Sequence, residues 1–293
     1  MCLIAFAIGV SPDWPLVIAS NRDEFLSRPT LPLARWMTDS GQPIISGRDL
    51  LAGGTWLGLT PGGRAAFLTN VRAARPEAAP QSRGELVTRW LEAKSDAESF
   101  VTHLKQQDPL TYGGFNLVLG DIRRGAWHWV TNKSGAGAPA WQVQSLKPGI
   151  FGLSNAALDT PWPKTARLKS VLQAALAANA KVANLDMVRA RLWKALANRE
   201  LAAEKDLPAT GVSRQAEKAL SSAFVEFPEQ TYGTRSSTVL TIDSGTLGGS
   251  LPFLKTQIGE RTHLRDSLDL VPVVQSTGYT QVDLAFCLDE IDF

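Results

Sequence analysis

The sequence has 293 residues, of which 44% are hydrophobic and 20% are charged. This composition is typical of a globular protein and not of a disordered, collagen-like or membrane-embedded chain. The net charge of +2 gives no large electrostatic field, so nucleic acid and anionic membranes are poor candidate partners. The two cysteines and three histidines are not at ligand spacing, which indicates no metal site, no disulfide framework and a reducing compartment.

The apolar N-terminal run looks like the start of a signal peptide but lacks its other features. It has no basic residues before it and no small-residue cleavage site, and Asp13 and Pro15 interrupt it. No segment reaches the roughly 18 apolar residues that a membrane span needs. We therefore expect a cytoplasmic protein with a mature N-terminus and no transmembrane segment.

The first third of the sequence predicts short strands that are joined by turns. Apolar or β-branched runs predict strands over residues 3–10, 16–20, 55–59 and 64–69. The turn residues Ser11, Pro12 and Asp13 separate the first two runs, which therefore predict an opening hairpin. The pairs Gly53–Gly54 and Gly62–Gly63 predict turns with positive φ, which glycine adopts at no steric cost.

Helices are predicted in two further parts of the chain. Capping boxes at Ser82 and Glu85, and at Ser95 and Glu98, predict the starts of two short helices. Between residues 160 and 201, apolar side chains recur every three or four positions, which is the spacing of a helical block.

The remaining strands are predicted on both sides of the helical block. Residues 115–120 and 126–131 predict a second hairpin, with Trp127 and Trp129 on one face and His128 on the other. Residues 236–242 and 281–287 return to strand character. Strands, a helical pair, more strands, a helical block and final strands predict a layered α+β fold. No internal repeat or linker composition interrupts the chain, so residues 1–293 are expected to form one domain.

The second position of the chain is the first candidate for chemistry. Aminopeptidases generally remove Met1 when a small residue follows, which would make Cys2 the N-terminal residue. Its thiol would be the nucleophile, and its own α-amine, with a reference pKa of about 7.7–8.0, would be the general base. The alternative is a small buried side chain that opens a strand, as most free cysteines are inert core residues.

A polar run after the first hairpin is the second candidate. A carboxylate in Asn21-Arg22-Asp23-Glu24 would hold the α-amine, and the guanidinium would lower the pKa of a thiol. The alternative is a solvated turn. Nucleotide-binding, zinc-protease and serine-hydrolase motifs are absent from the sequence, and we expect no cofactor.

The polar run and seven later segments, in order, resemble the NRDE family, also called the transport and Golgi organisation family. The first segment is Asn21-Arg22-Asp23-Glu24-Phe25, with Arg28-Pro29-Thr30 after it. The later segments begin at Gly53, Leu68, Ser82, Gly114, Gly152, Asp159 and Tyr232. Any one of these segments is weak evidence, whereas eight in order are highly specific. The resemblance covers almost the whole chain.

The resemblance implies a fold and a set of site residues. The family is similar to N-terminal-nucleophile (Ntn) hydrolases such as bile salt hydrolases and penicillin V acylases, which implies a four-layer αββα sandwich of mostly antiparallel sheets. Segment by segment, it implies a catalytic set of Cys2, Arg22, Asp23, Asn70, Asn155 and Arg235. Asn70 and Asn155 would stabilise an oxyanion, and Arg235 would stabilise the amine's surroundings or bind a substrate carboxylate. Without the resemblance, strand-end capping explains these two asparagines and Arg235 equally well.

One departure from the acylase pattern concerns the polar run. The acylases separate their arginine and aspartate by two residues, whereas Arg22 and Asp23 are adjacent and should point to opposite faces of a strand. Asn21 or Glu24 would then take the role of Asp23, and we expect Asn21, Glu24 and Trp56 to contact the substrate.

Two functions follow from the resemblance. The first is a cysteine Ntn amidohydrolase that cleaves amide bonds of a small molecule. The second is a non-catalytic carrier of haem or of acyl-CoA or lipid-type ligands, a class that the nine tryptophans of the chain also suit. The sequence shows neither a CxxCH motif nor an axial ligand pair for haem, and it leaves the oligomeric state open.

Overall fold

The structure is a computed structural model that describes residues 2–11, 13–74, 79–133, 139–178, 185–245, 253–263 and 278–288. Met1 and Pro12, both of which enter the sequence analysis, lie outside these ranges. The strands are β1 Cys2–Ser11, β2 Trp14–Phe25, β3 Thr30–Met37, β4 Pro43–Asp49, β5 Leu57–Leu59, β6 Arg64–Asn70, β7 Phe115–Asp121, β8 Ala126–Thr131, β9 Gln142–Leu146, β10 Gly149–Leu153, β11 Glu226–Phe227, β12 Tyr232–Gly245, β13 Phe253–His263 and β14 Tyr279–Cys287. The α-helices are α1 Gly84–Glu92, α2 Ala97–Leu104, α3 Pro163–Ala178, α4 Leu185–Leu196 and α5 Arg214–Ala219.

The strands form two antiparallel sheets. The first sheet has the order β10-β1-β2-β12-β13-β14, with the short β11 paired to β12. The second sheet runs β3-β4-β5-β6-β7-β8-β9, so each strand pairs with its neighbour in the chain. Strand β1 is therefore an internal strand with partners on both sides.

The alternation of side chains along each strand produces two separate cores on the first sheet. Ile4, Phe6 and Ile8 of β1 point inward and pack against the second sheet, where they meet residues such as Phe67 and Val118. The intervening residues of β1 point outward and pack against α3 and α4. One strand thus supplies both faces of a buried sheet.

The second sheet has a helical layer on its own outer face. Leu86, Val87 and Trp90 of α1 pack on Ala66 and neighbouring residues of β6 and β7, and α2 joins the same cluster. The layer order is therefore helices, sheet, sheet, helices. This arrangement confirms the predicted α+β class and the four-layer αββα sandwich of antiparallel sheets. No helix in the described ranges combines the length and apolarity that a membrane crossing requires.

Both predicted hairpins are confirmed, and the two tryptophans of β8 lie together in the core between the sheets. The first strand pair differs from the prediction in length, because β2 continues through Asn21-Arg22-Asp23-Glu24 to Phe25. The polar run is therefore part of a strand and not a turn after it. Strands β3, β4, β9, β10, β11 and β13 were not predicted.

The predicted helices are present, but both capping boxes are wrong. Arg83 holds the N-cap position of α1 and makes no side-chain capping hydrogen bond. The N-cap of α2 is Asp96, whose carboxylate accepts a hydrogen bond of 2.8 Å from the Ser99 amide. The charged carboxylate of Asp96 is a stronger hydrogen-bond acceptor than the Ser95 hydroxyl for the free backbone amides in the first turn of α2.

Candidate active site

Cys2 opens the internal strand β1 and is buried, with 8% of its surface exposed. Its side chain lies on the face between the two sheets. Its backbone is fixed by the residue that follows the neighbouring strand β10, because the Ser154 hydroxyl donates a hydrogen bond of 3.0 Å to the Cys2 carbonyl. The thiol is thus fixed at the edge of the central core rather than on a loose terminal segment.

Arg22 lies directly opposite Cys2 in the β1–β2 pair, so the two side chains share a face. Its guanidinium lies 4.3 Å from the ring centroid of Trp56, which belongs to the second sheet's side of the core. It also lies 3.5 Å from a carboxylate oxygen of Asp49 and 3.9 Å from one of Glu24. The site therefore holds a buried positive charge beside the thiol.

Asp23 follows Arg22 and points to the other face of the sheet, towards the helices. Its Oδ1 accepts a hydrogen bond of 2.7 Å from the Thr234 hydroxyl, and its Oδ2 lies 4.0 Å from Lys164 Nζ. Cys2 and Arg22 are paired at the start of β1, so Asp23 lies next to the backbone nitrogen end of that strand. Arg22 and Asp23 thus lie on opposite faces of β2, as expected for adjacent strand residues, and no turn separates them.

A cavity of about 390 Å³ contains the thiol, and we call it the Cys2 cavity. Six of the nine predicted site residues line it, namely Cys2, Arg22, Asp23, Glu24, Trp56 and Asn70. It adjoins a second cavity of about 990 Å³, the large cavity, and shares Glu24, Arg28, Asn70 and Arg83 with it. The large cavity is lined by aromatic residues such as Phe25, Tyr112, Phe227 and Tyr232 and by the basic residues Arg72 and Lys133.

Asn70 and Asn155 have different positions in the site. Asn70 lines both cavities, and no hydrogen bond of its side-chain amide is found within the described residues. Asn155 is buried and donates its side-chain amide to the Asn70 carbonyl at 2.9 Å. Asn70 is thus the asparagine that faces the Cys2 cavity, and Asn155 holds the Asn70 backbone in place.

Besides Asn155, two predicted site residues do not line the Cys2 cavity, namely Asn21 and Arg235. Asn21 is fully buried on the helical side, where its amide donates to the carbonyls of Leu196 and Ala223 at 2.8 Å each. Asn21 was expected to contact the substrate, but the strand alternation directs its side chain away from the Cys2 cavity and towards the helices.

Arg235 likewise serves the chain rather than the cavity. Its guanidinium donates hydrogen bonds of 2.7–3.1 Å to the carbonyls of Phe25, Leu26 and Arg28. The register of the β2–β12 pair shifts at this residue, so its side chain reaches the turn after β2. Arg235 fastens that turn, which supports Arg28 and Glu24 at the cavity rim.

Trp56 forms one wall of the Cys2 cavity. Gly47 leaves space for its indole, and Gly54 allows the segment that carries it to pack closely. A Cβ at Gly47 would lie 2.6 Å from Cζ2 of the indole. Gly54 has a φ of +75° and packs against the backbone at Gly84. The resemblance segment that begins at Gly53 contains Trp56, whose indole packs on Arg22. The predicted positive φ is confirmed at Gly53, Gly54 and Gly63 and is wrong at Gly62.

Burial and nearby charges set the electrostatics of the thiol. Burial raises the pKa of Cys2, and the carboxylates of Asp23 and Glu24 raise it further, whereas the positive charge of the chain's N-terminus and that of Arg22 lower it. Burial also raises the pKa of the Asp23 carboxyl, against the opposing effect of Lys164. The resting thiol is consequently protonated at neutral pH and needs a proton acceptor before it can attack a carbonyl carbon.

The sequence analysis did not single out four residues that shape this site: Asp49, Arg83, Ser154 and Lys164. Arg83, Ser154 and Lys164 lie in segments that carry the family resemblance. Lys164 also precedes Leu168 by four residues, so the helical periodicity places it on the buried face of α3. In the described part of the chain, no group of three or more histidine, cysteine, aspartate or glutamate side chains is arranged to hold a metal ion.

The sequence matches the family model for "Transport and Golgi organisation 2" over residues 1–250. It is 32% identical over 256 residues to the "Transport and Golgi organization 2 homolog" of Mus musculus, covering 83% of this chain and 89% of that protein. The homologues of Homo sapiens and Drosophila melanogaster are 31% and 27% identical over similar lengths. The chain therefore belongs to the Transport and Golgi organisation 2 family.

Solved structures that resemble the chain are more distant. An ortholog of N-acylethanolamine-hydrolyzing acid amidase from Caenorhabditis elegans has a TM-score of 0.45 and 11% identity, with 67% of this chain and 86% of that chain covered. A variant of conjugated bile acid hydrolase from Clostridium perfringens has a TM-score of 0.46 and 8% identity, with 87% and 92% covered. At these values, the function has to be inferred from the residues of the site.

Proposed function

We propose that this member of the Transport and Golgi organisation 2 family is a cysteine Ntn amidohydrolase that cleaves an amide bond of a small molecule. The observation that carries the proposal is the convergence of Cys2, Arg22, Asp23 and Asn70 on one cavity. These residues come from β1, β2 and the end of β6. A nucleophile, a cation, an anion and an amide donor in one concave site meet the requirements of acyl transfer.

The proposed reaction begins with removal of Met1, which frees the α-amine of Cys2. The neutral amine takes the proton of the thiol, and Sγ forms a bond to the amide carbonyl carbon. The tetrahedral intermediate collapses when the C–N bond breaks and the amine returns the proton to the leaving nitrogen. Water then attacks the thioester carbonyl carbon while the amine accepts one of its protons. The C–S bond breaks, the amine returns that proton to Sγ, and the acid and the free thiol are released.

Three neighbours of Cys2 have separate roles in this scheme. Arg22 stabilises the thiolate that forms in these buried surroundings. Asp23 orients the α-amine, since it lies beside the start of β1. The side-chain amide of Asn70 donates to the oxyanion, a contribution of about 3–4 kcal/mol for comparable donors. Asn155 acts on the reaction through the Asn70 backbone.

A carrier function is the second candidate, and the large cavity favours it. Its volume of about 990 Å³ suits a drug-sized or larger apolar ligand, and its basic rim suits an anionic group on that ligand. The names of the relatives refer to transport and organisation rather than to a reaction. A haem, acyl-CoA or lipid-type molecule would occupy the large cavity in this case, without a reaction at Cys2.

The substitution Cys2→Ser separates the two functions. A panel of acyl amides is first screened for turnover by the wild-type protein, and binding of each amide is measured in parallel by calorimetry. An amidohydrolase loses turnover by orders of magnitude in Cys2→Ser, because a hydroxyl ionises far less readily than a thiol, while binding changes little. Equal turnover of the two proteins would exclude Cys2 as the nucleophile, and binding without any turnover would favour the carrier.

A further inference from the structure

A buried lysine lies next to the Asp23 carboxylate, on the helical side of the first sheet. Lys164 stands in the first turn of α3, and 3% of its side chain is exposed. Its Nζ lies 4.0 Å from Asp23 Oδ2 and makes no hydrogen bond to any described residue. Lysine is almost never fully buried unless it is paired, so the Asp23 carboxylate accounts for its position.

The location of Lys164 is costly for a charged side chain. The pKa of Lys164 is lowered to about 8, mainly by burial; Asp23 opposes this shift, and Arg72 adds to it. A cation in the first turn of a helix is also opposed by the helix dipole. An apolar side chain would pack at this position without these costs. The presence of a lysine therefore indicates that its positive charge acts on the Asp23 carboxylate.

The charged and polar groups around this pair come from four other elements. Cys2 of β1, Arg72 after β6 and Glu217 of α5 interact electrostatically with Lys164. In β12, the Thr234 hydroxyl donates a hydrogen bond to the Asp23 carboxylate, and the Tyr232 hydroxyl donates one to the Asp23 carbonyl. Arg72 and Glu217 form their own buried ion pair. Lys164, Asp23 and Cys2 therefore remain as the group whose charges depend on one another.

We propose that Lys164 is a positioning residue that keeps the Asp23 carboxylate ionised and holds it beside Cys2. This inference rests on the proposed function of Cys2 and Asp23. In this arrangement the Asp23 carboxylate interacts with two cations, the Lys164 ammonium and the α-ammonium of Cys2. Because Lys164 partly neutralises the carboxylate, the α-ammonium is stabilised less and the pKa of the α-amine is lower. The amine would then be neutral, and able to act as a base, at a lower pH than if it alone faced Asp23.

The test reads the thiol directly and needs no substrate. In a Cys287→Ser background, the rate of carbamidomethylation of Cys2 by iodoacetamide is measured across pH 6 to 10, and intact mass counts one label per chain. Lys164 carries its proton only below about pH 8, so its ammonium acts on the thiol only in the lower part of this range. At pH 6 to 7 the labelling rate of Lys164→Met should therefore be about threefold or more below that of the background protein, and the two rates should converge above pH 9.

A control on the same helix isolates the effect of the buried charge. Lys169 pairs with Asp159 at the surface, at 2.7 Å, and Lys169→Met should leave the labelling rate at pH 6 to 7 unchanged. A labelling rate of a folded Lys164→Met protein at pH 6 to 7 equal to that of Lys169→Met would overturn the proposal. Circular dichroism and thermal unfolding establish whether each variant is folded.

A second comparison applies if Lys164→Met does not fold. Asp23→Asn removes the partner that keeps Lys164 protonated, so Lys164 should be neutral in that variant at neutral pH. Asp23→Asn and Asp23→Asn/Lys164→Met should then have the same labelling rate at pH 7, and a difference between them would refute action through Asp23. Absence of amide turnover would refute the proposed function but would leave these labelling rates readable.

Discussion

Removal of the Arg22 charge is the perturbation that acts most directly on the thiol. Arg22 lies opposite Cys2 in the strand pair, with 5% of its side chain exposed, so solvent screens it little. The substitution Arg22→Met keeps a long side chain that can still pack on Trp56. It removes the one cation that lowers the pKa of Cys2 from within the strand pair.

The magnitude follows from the surroundings of the guanidinium. A cation within about 4–6 Å lowers an acid's pKa by about 1–3 units. The carboxylates of Asp49 and Glu24, at 3.5 and 3.9 Å, partly neutralise Arg22, so the lower end of that range applies. The pKa of Cys2 should rise by about 1 unit in Arg22→Met, which lowers the thiolate fraction at pH 7 about tenfold.

The assay is the pH profile of iodoacetamide labelling in the Cys287→Ser background. The full profile is needed because a thiolate of higher pKa is also more nucleophilic, so the rate at a single pH changes less than the thiolate fraction. Arg48→Met is the matched control, since that guanidinium lies at the same 4.3 Å from the ring centroid of Trp36. An Arg22→Met midpoint no higher than that of Arg48→Met would refute the reasoning.

Three further predictions concern the walls of the site. Gly47→Ala should destabilise the protein by about 1–3 kcal/mol in urea unfolding, because the new methyl group overlaps the indole of Trp56. Glu217→Gln should cost about 3–5 kcal/mol, because it leaves the buried charge of Arg72 without its partner. Lys164 releases its proton at about pH 8 in the fold but near 10.5 in the unfolded chain, so the unfolded chain binds more protons in this window. The free energy of unfolding of the wild type, relative to Lys164→Met, should therefore rise from pH 8 to 10.5.

Each of these predictions has a control in the same chain. Gly62→Ala meets only Thr60 Oγ1 at 3.8 Å and should change stability little. Glu200→Gln breaks an exposed pair with Arg167 and should cost about 0–1 kcal/mol. Lys169→Met should show no pH-dependent difference from wild type between pH 8 and 10.5. A cost for Glu217→Gln as small as that for Glu200→Gln would contradict the assignment of a buried pair.

The sequence patterns predicted the features of the site that depend on local spacing. The opening hairpin follows from two apolar runs around a turn, and it is this hairpin that pairs Cys2 with Arg22. The segments that carry the family resemblance contain Asn70 and Trp56, which the fold brings to the same cavity. The layer order was likewise expected from the resemblance, and strand alternation explains it in physical terms.

The parts that could not be predicted depend on contacts between distant segments. Arg235 reaches carbonyls of Phe25 and Leu26 only because the β2–β12 register shifts beside it. Asn155 was expected at the oxyanion, but the β1–β10 pair brings it to the Asn70 backbone instead. Sequence spacing contains no information on either register.

The measurement that tests the central claim most directly is the intact mass of the purified protein before and after incubation with an acylating amide or lactam. A cysteine Ntn hydrolase should have the mass of a chain without Met1. It should then gain one acyl group, which peptide mapping locates on Cys2 and which is absent in Cys2→Ser. A chain that retains Met1 and gains no acyl group on Cys2 would contradict the proposed nucleophile.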